Sequence, residues 1–119
     1  MSTDEGMKIG EAAERTGLSI RTLRHYDDLG VVSPSGHTPG GFRLYEKADI
    51  ERIMLIRRMK PLEFTLDEMR EFLDAADHPD APAARETIDR FRAEAGVRLE
   101  KLRRRVGYAE EFLRLAEGL

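Results

Sequence analysis

The sequence predicts a mainly α-helical protein with one small β-hairpin, and three observations support this prediction. The first half alternates short amphipathic segments with glycines and prolines, which is typical of short helices joined by tight turns. A stretch rich in glycine and proline lies between two short β-prone segments. The last third, residues 84–117, contains no proline and repeats apolar residues at a helical period. We therefore expect a head followed by one long helix.

The composition fits about one compact domain plus an extension. Of the 119 residues, 40% are hydrophobic and 36% are charged, which is enough apolar content for a core. The sequence has no cysteine, so disulfides and thiolate metal sites are excluded. No apolar run approaches the roughly 18 residues that a membrane span needs. We expect a cytoplasmic protein that does not contact a membrane.

The charge is distributed unevenly along the chain. The whole sequence carries a net charge of -3, but residues 7–60 carry +3 and residues 61–119 carry -4. A cationic region is the electrostatic requirement for binding nucleic acid. The first half is therefore where we look for such a function.

Two short helices are predicted near the N-terminus, over about 11–16 and 19–29. Gly17 ends the first helix, and Gly30 supplies a left-handed stop for the second. Ser19 is a good N-cap because its hydroxyl can accept a bond from an orphan backbone N–H. Two short helices joined by a turn of about three residues form the outline of a helix-turn-helix.

The second helix has two predicted faces. We expect its buried stripe to contain Ile20, Leu23 and Leu29. Spacing of i, i+3, i+4 and i+7 gathers the polar face: Arg21, Arg24, His25 and Asp28. An α-helix fits the major groove of DNA, where arginine makes bidentate contacts to guanine and phosphate. Thr22 and Tyr26 flank this face, and their hydroxyls are suited to phosphate contacts.

The next stretch predicts a hairpin, which we call the wing. Val31–Val32 and Phe42–Tyr45 have strand-forming composition, and the segment between them is rich in glycine and proline. A winged helix-turn-helix uses such a hairpin to touch the DNA beside the recognition helix.

Side chains along the return strand of the wing should alternate between two faces. Alternation puts Phe42 and Leu44 on one face, and we expect this apolar face to be packed. Arg43 and Tyr45 fall on the other face, which we expect to be exposed to DNA.

Two further helices are predicted after the wing. The first covers about 47–60 and ends at Pro61. Its core side carries Ile50, Ile53 and Met54. The second opens with a T-x-x-E capping box over Thr65–Glu68. Its apolar residues recur at helical spacing: Leu66, Met69, Leu73 and Ala76.

The C-terminal segment predicts a coiled coil. Residues 77–83 have the prolines and acids of a linker, and the apolar residues of 84–117 recur about every 3.5 residues, the coiled-coil period. The stripe contains Ile88, Phe91, Ala95, Leu99, Leu102, Val106, Ala109 and Phe112. So long a helix needs a partner, most simply the same helix of a second chain.

Enzymatic and metal-dependent functions lack their residue patterns. His25, His37 and His78 lie in three different segments, and none has a second ligand at metal-binding spacing. No glycine-rich loop joins a strand to a helix, and no G-x-S-x-G motif occurs. We expect no catalytic activity, no cofactor and no bound metal.

The ordered motifs I-G-E-A-A, R-T-L-R-x-Y, G-F-R-L-Y and F-T-L-D-E-M occur between Met7 and about Leu73. In this order they resemble the DNA-binding domain of the MerR family of bacterial transcription regulators. The resemblance implies a winged helix-turn-helix over 7–76, a linker over 77–83 and an antiparallel dimerisation helix over 84–117. The family usually has glycine where this chain has Glu63.

The resemblance also implies partners and site residues. A homodimer would bind promoter DNA and distort it, which controls RNA polymerase engagement without a direct polymerase contact. The DNA contacts implied are Ser19, Arg21, Thr22, Arg24, His25, Tyr26, Arg43 and Tyr45. The metal-sensing branch needs cysteines, which this chain lacks, and we expect a short member without the C-terminal effector domain of the drug-sensing branch.

Two alternative functions remain open from the sequence. The coiled coil could be an interaction module for a partner protein. A small-molecule-responsive regulator could hold its effector in a pocket lined by Phe64, Phe72 and Phe91. Neither an effector, nor the operator sequence, nor the choice between activation and repression follows from the residues.

Overall fold

The structure, a computed structural model, describes residues 6–119 and confirms the mainly helical fold with a small hairpin and a long C-terminal helix. Over these residues the helices are α1 (Ile9–Thr16), α2 (Ile20–Asp28), α3 (Lys47–Met59), α4 (Leu66–Ala76) and α5 (Pro82–Glu117). The strands are β1 (Gly36–His37) and β2 (Arg43–Leu44), and a 3-10 turn (Lys60–Leu62) follows α3. None of the helices over 6–119 combines the length and apolar character that a membrane span requires.

The caps of α1 and α2 agree with the sequence prediction. Gly17 has a φ of 74° and Gly30 a φ of 71°, which is the left-handed region that favours glycine. The Ser19 hydroxyl accepts a hydrogen bond of 3.0 Å from the Thr22 N–H and so caps α2. These caps fix where α1 ends and where α2 begins and ends, and so define the helix-turn-helix.

The predicted buried stripe of α2 is wrong at both ends. Leu23 is buried, but Ile20 and Leu29 are 38% and 42% exposed. Ile20 is the first residue of α2 and Leu29 lies just beyond its last, so neither is inside the packed turns. The inward face is formed instead by Leu23 and Tyr26, which lie three residues apart and are both buried.

The first strand of the wing was also predicted at the wrong place. Val31 and Val32 are buried residues that directly follow α2, and both of their N–H groups donate to the carbonyl of Tyr26. The ladder is antiparallel and pairs Gly36 with Leu44 and His37 with Arg43. The apolar valines therefore fill the core, and the first strand comes from the Gly/Pro-rich stretch.

The predicted faces of the return strand are wrong at Phe42 and Tyr45, whereas Arg43 is exposed as expected. Phe42 is 64% exposed, with the ammonium of Lys8 at 4.9 Å from its ring centroid, and Leu44 is half-buried. Tyr45 is buried, and Arg43 on the same face is paired with Asp27 of α2. The wing is short, so hydrophobicity alone did not indicate that Tyr45 is buried and Phe42 exposed.

Helices α3 and α4 supply much of the core of the head. Ile50 and Ile53 are buried as predicted, whereas Met54 is half-buried and Ile56 takes its place in the core. The capping box of α4 is confirmed: the Thr65 N–H donates to Glu68 Oε1 at 2.8 Å, and the Glu68 N–H donates to Thr65 Oγ1 at 3.1 Å.

The chain divides into two compact units, one ending at Leu73 and the other covering Asp74–Leu119. Helix α5 has 36 residues and begins at Pro82, two residues before the predicted start. Proline is favoured at the first turn of a helix, because the N–H that it lacks would have no partner there. Within the second unit Phe91 is buried, while several stripe residues are exposed: Leu99 40%, Val106 56% and Phe112 67%.

Candidate nucleic-acid interface

The polar face of α2 is exposed, as its spacing predicts. Its four residues are all exposed to solvent: Arg21, Arg24, His25 and Asp28. Over residues 6–119, neither Arg21 nor Arg24 forms a hydrogen bond or an ion pair. Two guanidinium groups are therefore free to donate to base edges or phosphates.

The Arg43 side chain of the wing reaches α2. Its Nη1 donates to Asp27 Oδ2 at 2.9 Å and its Nη2 donates to Asp27 Oδ1 at 3.2 Å. This bidentate pair is only partly buried, since the Arg43 and Asp27 side chains are 50% and 24% exposed. The pair links β2 to the last turn of α2.

Tyr45 lies beside this pair, inside the head and not on its outer surface. Its backbone exchanges two hydrogen bonds with Met7, at 2.8 Å and 2.7 Å. Burial raises the pKa of the Tyr45 hydroxyl above its ordinary value, and the nearby Asp27 carboxylate raises it further, against the opposing effect of Arg43. The hydroxyl is therefore protonated at neutral pH and is a hydrogen-bond donor.

The base of the wing is fixed by Asp49, a buried carboxylate at the start of α3. It accepts hydrogen bonds from the Ser35 N–H at 3.0 Å, the Ser35 hydroxyl at 2.7 Å and the Glu46 N–H at 2.8 Å. Because Ser35 precedes β1 and Glu46 follows β2, one carboxylate holds both ends of the hairpin. The sequence prediction missed this residue. The signal was the spacing Glu46-x-x-Asp49, an acidic version of a capping box.

A cavity of about 640 Å³ opens beside the exposed face of α2. Its lining combines cationic, hydroxyl and apolar side chains: Arg21, Thr22, His25, Tyr26, Lys60, Phe64, Thr65, Leu66 and Met69. The Tyr26 hydroxyl is buried and has no hydrogen-bond partner among residues 6–119. Lys60 of the 3-10 turn after α3 shares this cavity with Arg21.

The structure gathers the predicted DNA contacts into one region of the head, but not all on its surface. Thr22 is half-buried beside its cap Ser19, and Arg21, Arg24 and His25 are exposed. Tyr26 and Tyr45 were expected outside, and both are only 2% exposed. Tyr26 belongs to the buried face of α2, and the backbone of Tyr45 pairs with Met7. Their contact with DNA stays a prediction.

A metal site is not formed by the described residues. Over residues 6–119, the histidine and carboxylate side chains form no group of three or more that could hold a metal ion. The three histidines remain separate, with His25 on α2, His37 on β1 and His78 after α4.

Comparison with known proteins places this region in a family. Residues 7–76 match the family model described as MerR HTH family regulatory protein, and residues 50–106 match the model described as MerR, DNA binding. The chain is 31% identical over 113 residues to the HTH-type transcriptional regulator HmrR of Rhizobium leguminosarum bv. viciae, covering 95% of this chain and 83% of that protein.

Two further similarities involve one regulator of Bacillus subtilis. The chain is 46% identical over 72 residues to the HTH-type transcriptional activator mta, covering 60% of this chain but only 27% of that protein. The solved N-terminus of MtaN, the multidrug transporter activator, superimposes with a TM-score of 0.61 at 33% identity, covering 92% of this chain and 93% of that one. The relatives are transcription regulators and not enzymes, and they do not favour an interaction module. The exposed cations of α2, the wing beside them and these matches lead to one conclusion: the chain belongs to the MerR family of DNA-binding transcription regulators.

Proposed function

We propose that this protein binds promoter DNA as a homodimer, with α2 in the major groove and the wing on the adjacent backbone. The observation that supports this most directly is the exposed face of α2, where Arg21 and Arg24 have no carboxylate partner within residues 6–119. Helices of this size fit the major groove, and arginine is the side chain most often used there to read guanine. We expect the protein to act in the cytoplasm.

The apolar stripe of α5 supports the homodimer. Leu99, Val106 and Phe112 are each at least 40% exposed in the single chain. Their spacing is that of a coiled coil, in which a second helix would cover them. Two heads joined through two such helices would bind two half-sites of a pseudo-palindrome.

Family resemblance supports a mechanism that acts through DNA shape. A dimer gains contacts when both heads bind their half-sites and both wings touch the DNA backbone. These contacts offset the free energy that bending and untwisting the DNA between the half-sites costs. Such a distortion realigns promoter elements for RNA polymerase, so the protein controls polymerase without a direct contact. The name of the relative mta supports activation as the direction of control.

Binding and distortion are tested together on a duplex enriched from random-sequence DNA by the wild-type protein. We expect an affinity that falls steeply with salt, since phosphate contacts release counterions. We also expect energy transfer between dyes at the duplex ends to increase on binding, because the DNA bends. Binding without a change in end-to-end distance would contradict the distortion, and failure to enrich any duplex would contradict DNA binding itself.

The homodimer is tested by sedimentation of two matched variants. Leu102→Asp puts a charge in the middle of the stripe, where a buried unpaired carboxylate is strongly unfavourable. Val97→Asp makes a similar change at a residue outside the stripe that is 52% exposed. We expect wild type and Val97→Asp to sediment as dimers at micromolar concentration and Leu102→Asp as a monomer. A monomeric wild type would contradict the proposal.

A further inference from the structure

We propose that Asp27 is a positioning residue for DNA binding, because it holds the Arg43 guanidinium in the orientation in which the wing meets the DNA backbone. This inference rests on the proposed function and adds a residue of α2 whose side chain contacts the wing. Asp27 is an acidic side chain at the recognition helix, where a carboxylate would ordinarily repel phosphates.

The geometry of the pair supports a role in orientation. Both Asp27 oxygens accept from Arg43, at 2.9 Å and 3.2 Å, through two different guanidinium nitrogens. A bidentate contact fixes the plane of the guanidinium, which a single contact would leave free to rotate. The remaining N–H groups of Arg43 point away from the carboxylate and stay available for a phosphate. Half of the Arg43 side chain remains exposed.

The choice of partner is also informative. Asp27 could pair with Arg24, which lies three residues earlier on α2, the spacing at which side chains of one helix can meet. The carboxylate pairs with Arg43 of the wing instead. Arg24 is thereby left for the DNA, and the wing is coupled to the recognition helix.

The base of the wing shows why this coupling matters. Asp49 fixes both ends of the hairpin, but the ladder itself has only two residues in each strand. Isolated two-stranded hairpins are marginally stable in water. The Arg43–Asp27 contact therefore attaches the wing to α2 at a second place, beyond the base of the wing. Without this contact the wing would sample more orientations, and ordering it on the DNA would cost more conformational entropy.

The sign of one mutational effect tests the inference. Asp27→Asn removes a negative charge near DNA, so electrostatics alone predicts tighter binding. Positioning predicts the opposite, and we expect binding to an enriched duplex to weaken about fivefold, a typical coupling between contacting residues. Glu14→Gln is the control, because it removes one negative charge from an exposed side chain of α1, outside the face of α2 that is assigned to the DNA. We expect this control to bind as well as wild type or slightly better.

A double-mutant cycle shows whether Asp27 acts through Arg43. In an Arg43→Ala background, Asp27→Asn should have no further effect on affinity. Arg43→Lys keeps the charge but cannot form the bidentate contact, so it should weaken binding, and Asp27→Asn should add little to it. Melting temperatures should stay within a few degrees of wild type, because a half-exposed ion pair contributes little to folding.

Three results would overturn the inference. Asp27→Asn could bind as tightly as wild type while Arg43→Ala binds weakly, or it could weaken binding equally when Arg43 is absent. Arg43→Ala could itself bind like wild type, which would remove the contact that Asp27 is inferred to position. In each case wild-type binding to the duplex persists, so DNA binding as such would still stand.

Discussion

The guanidinium of Arg57 on α3 donates a hydrogen bond of 2.6 Å to the carbonyl of Thr16, the last residue of α1. Carbonyls in the last turn of a helix have no partner within the helix, so a cation from another element both satisfies and stabilises them. Arg70 of α4 does the same for α2, donating to the carbonyl of Leu29 at 3.1 Å. Two arginines of the first unit therefore hold the helix-turn-helix by bonding to the ends of its helices.

The contact at Thr16 gives a stability prediction. We expect Arg57→Ala to lower the free energy of unfolding by about 1–2 kcal/mol, because it removes a charge-assisted hydrogen bond and leaves a carbonyl without its partner. Arg58→Ala is the control, since Arg58 bonds to Met54 of its own helix, and we expect a change within about 0.5 kcal/mol. Urea denaturation measures both. Equal effects from the two variants would contradict a special role for Arg57.

The backbone of Glu63 gives a second stability prediction. This residue has φ 63° and ψ 30°, the left-handed conformation, which costs a side-chain-bearing residue about 1–2 kcal/mol. Glycine adopts it freely, which agrees with the glycine usual in the family at this position. We expect Glu63→Gly to raise the free energy of unfolding by about 1 kcal/mol after the entropy of glycine is included.

A second glycine substitution makes the backbone effect specific. Glu110→Gly also replaces an exposed glutamate, but within regular helix α5, where glycine costs about 1 kcal/mol. The two variants should therefore change stability in opposite directions. Two decreases would show that Glu63 is not strained in the folded protein.

The buried hydroxyl of Tyr26 allows stability and DNA contact to be separated. An unsatisfied buried hydroxyl costs about 1–3 kcal/mol, so we expect Tyr26→Phe to raise the free energy of unfolding by about 1 kcal/mol. If the hydroxyl donates to a phosphate, as the family resemblance implies, affinity for the enriched duplex falls at the same time. Tyr108→Phe, on a side chain that is 69% exposed, should change neither quantity. A stabilised variant with unchanged affinity would remove Tyr26 from the DNA contacts.

The head was predicted well wherever a local rule decides the structure. Glycines at helix ends, the Ser19 cap and the Thr65–Glu68 capping box each depend on a few neighbouring residues, and each is found as expected. The predictions failed where packing between distant elements decides. Tyr45 is buried and pairs with Met7, which lies 38 residues earlier in the chain, and no spacing within the wing could indicate that.

The polar contacts that position the wing were missed for a related reason. Asp27 pairs with Arg43 across 16 residues, and Asp49 bonds to Ser35 across 14. A charged residue on a helix normally indicates a solvated face, so its long-range partner is visible only in the folded structure. The cationic face of α2 could be predicted, because helical spacing alone brings its residues onto one side of the helix.

Burial of Tyr45 predicts a loss of stability in alkaline solution. Burial raises the pKa of its hydroxyl above the ordinary 10.0, so at high pH the unfolded chain loses this proton before the folded chain does. The contribution of this group to stability is therefore complete below pH 10 and is lost as the pH rises through the folded-state pKa. We expect urea denaturation between about pH 8 and 11 to show a smaller alkaline loss for Tyr45→Phe than for wild type. Tyr108→Phe should keep the wild-type slope, and an equal slope in all three proteins would contradict the prediction.

The two arginines Arg21 and Arg43 should differ in the kind of DNA binding that they support. Arg21 lies in the first turn of α2, where side chains of a recognition helix meet base edges, and Arg43 lies on the wing. We expect Arg21→Ala to reduce discrimination between operator variants by about 1–3 kcal/mol at one base pair. Arg43→Ala should weaken binding to every duplex by a similar factor and lower the slope of log affinity against log salt by about one. Affinities for a panel of single-base variants of the enriched duplex, measured at several salt concentrations, test both assignments. If Arg21→Ala leaves the ranking of the variants unchanged, this side chain contacts the backbone, and base recognition has to come from Arg24 or His25 on the same face.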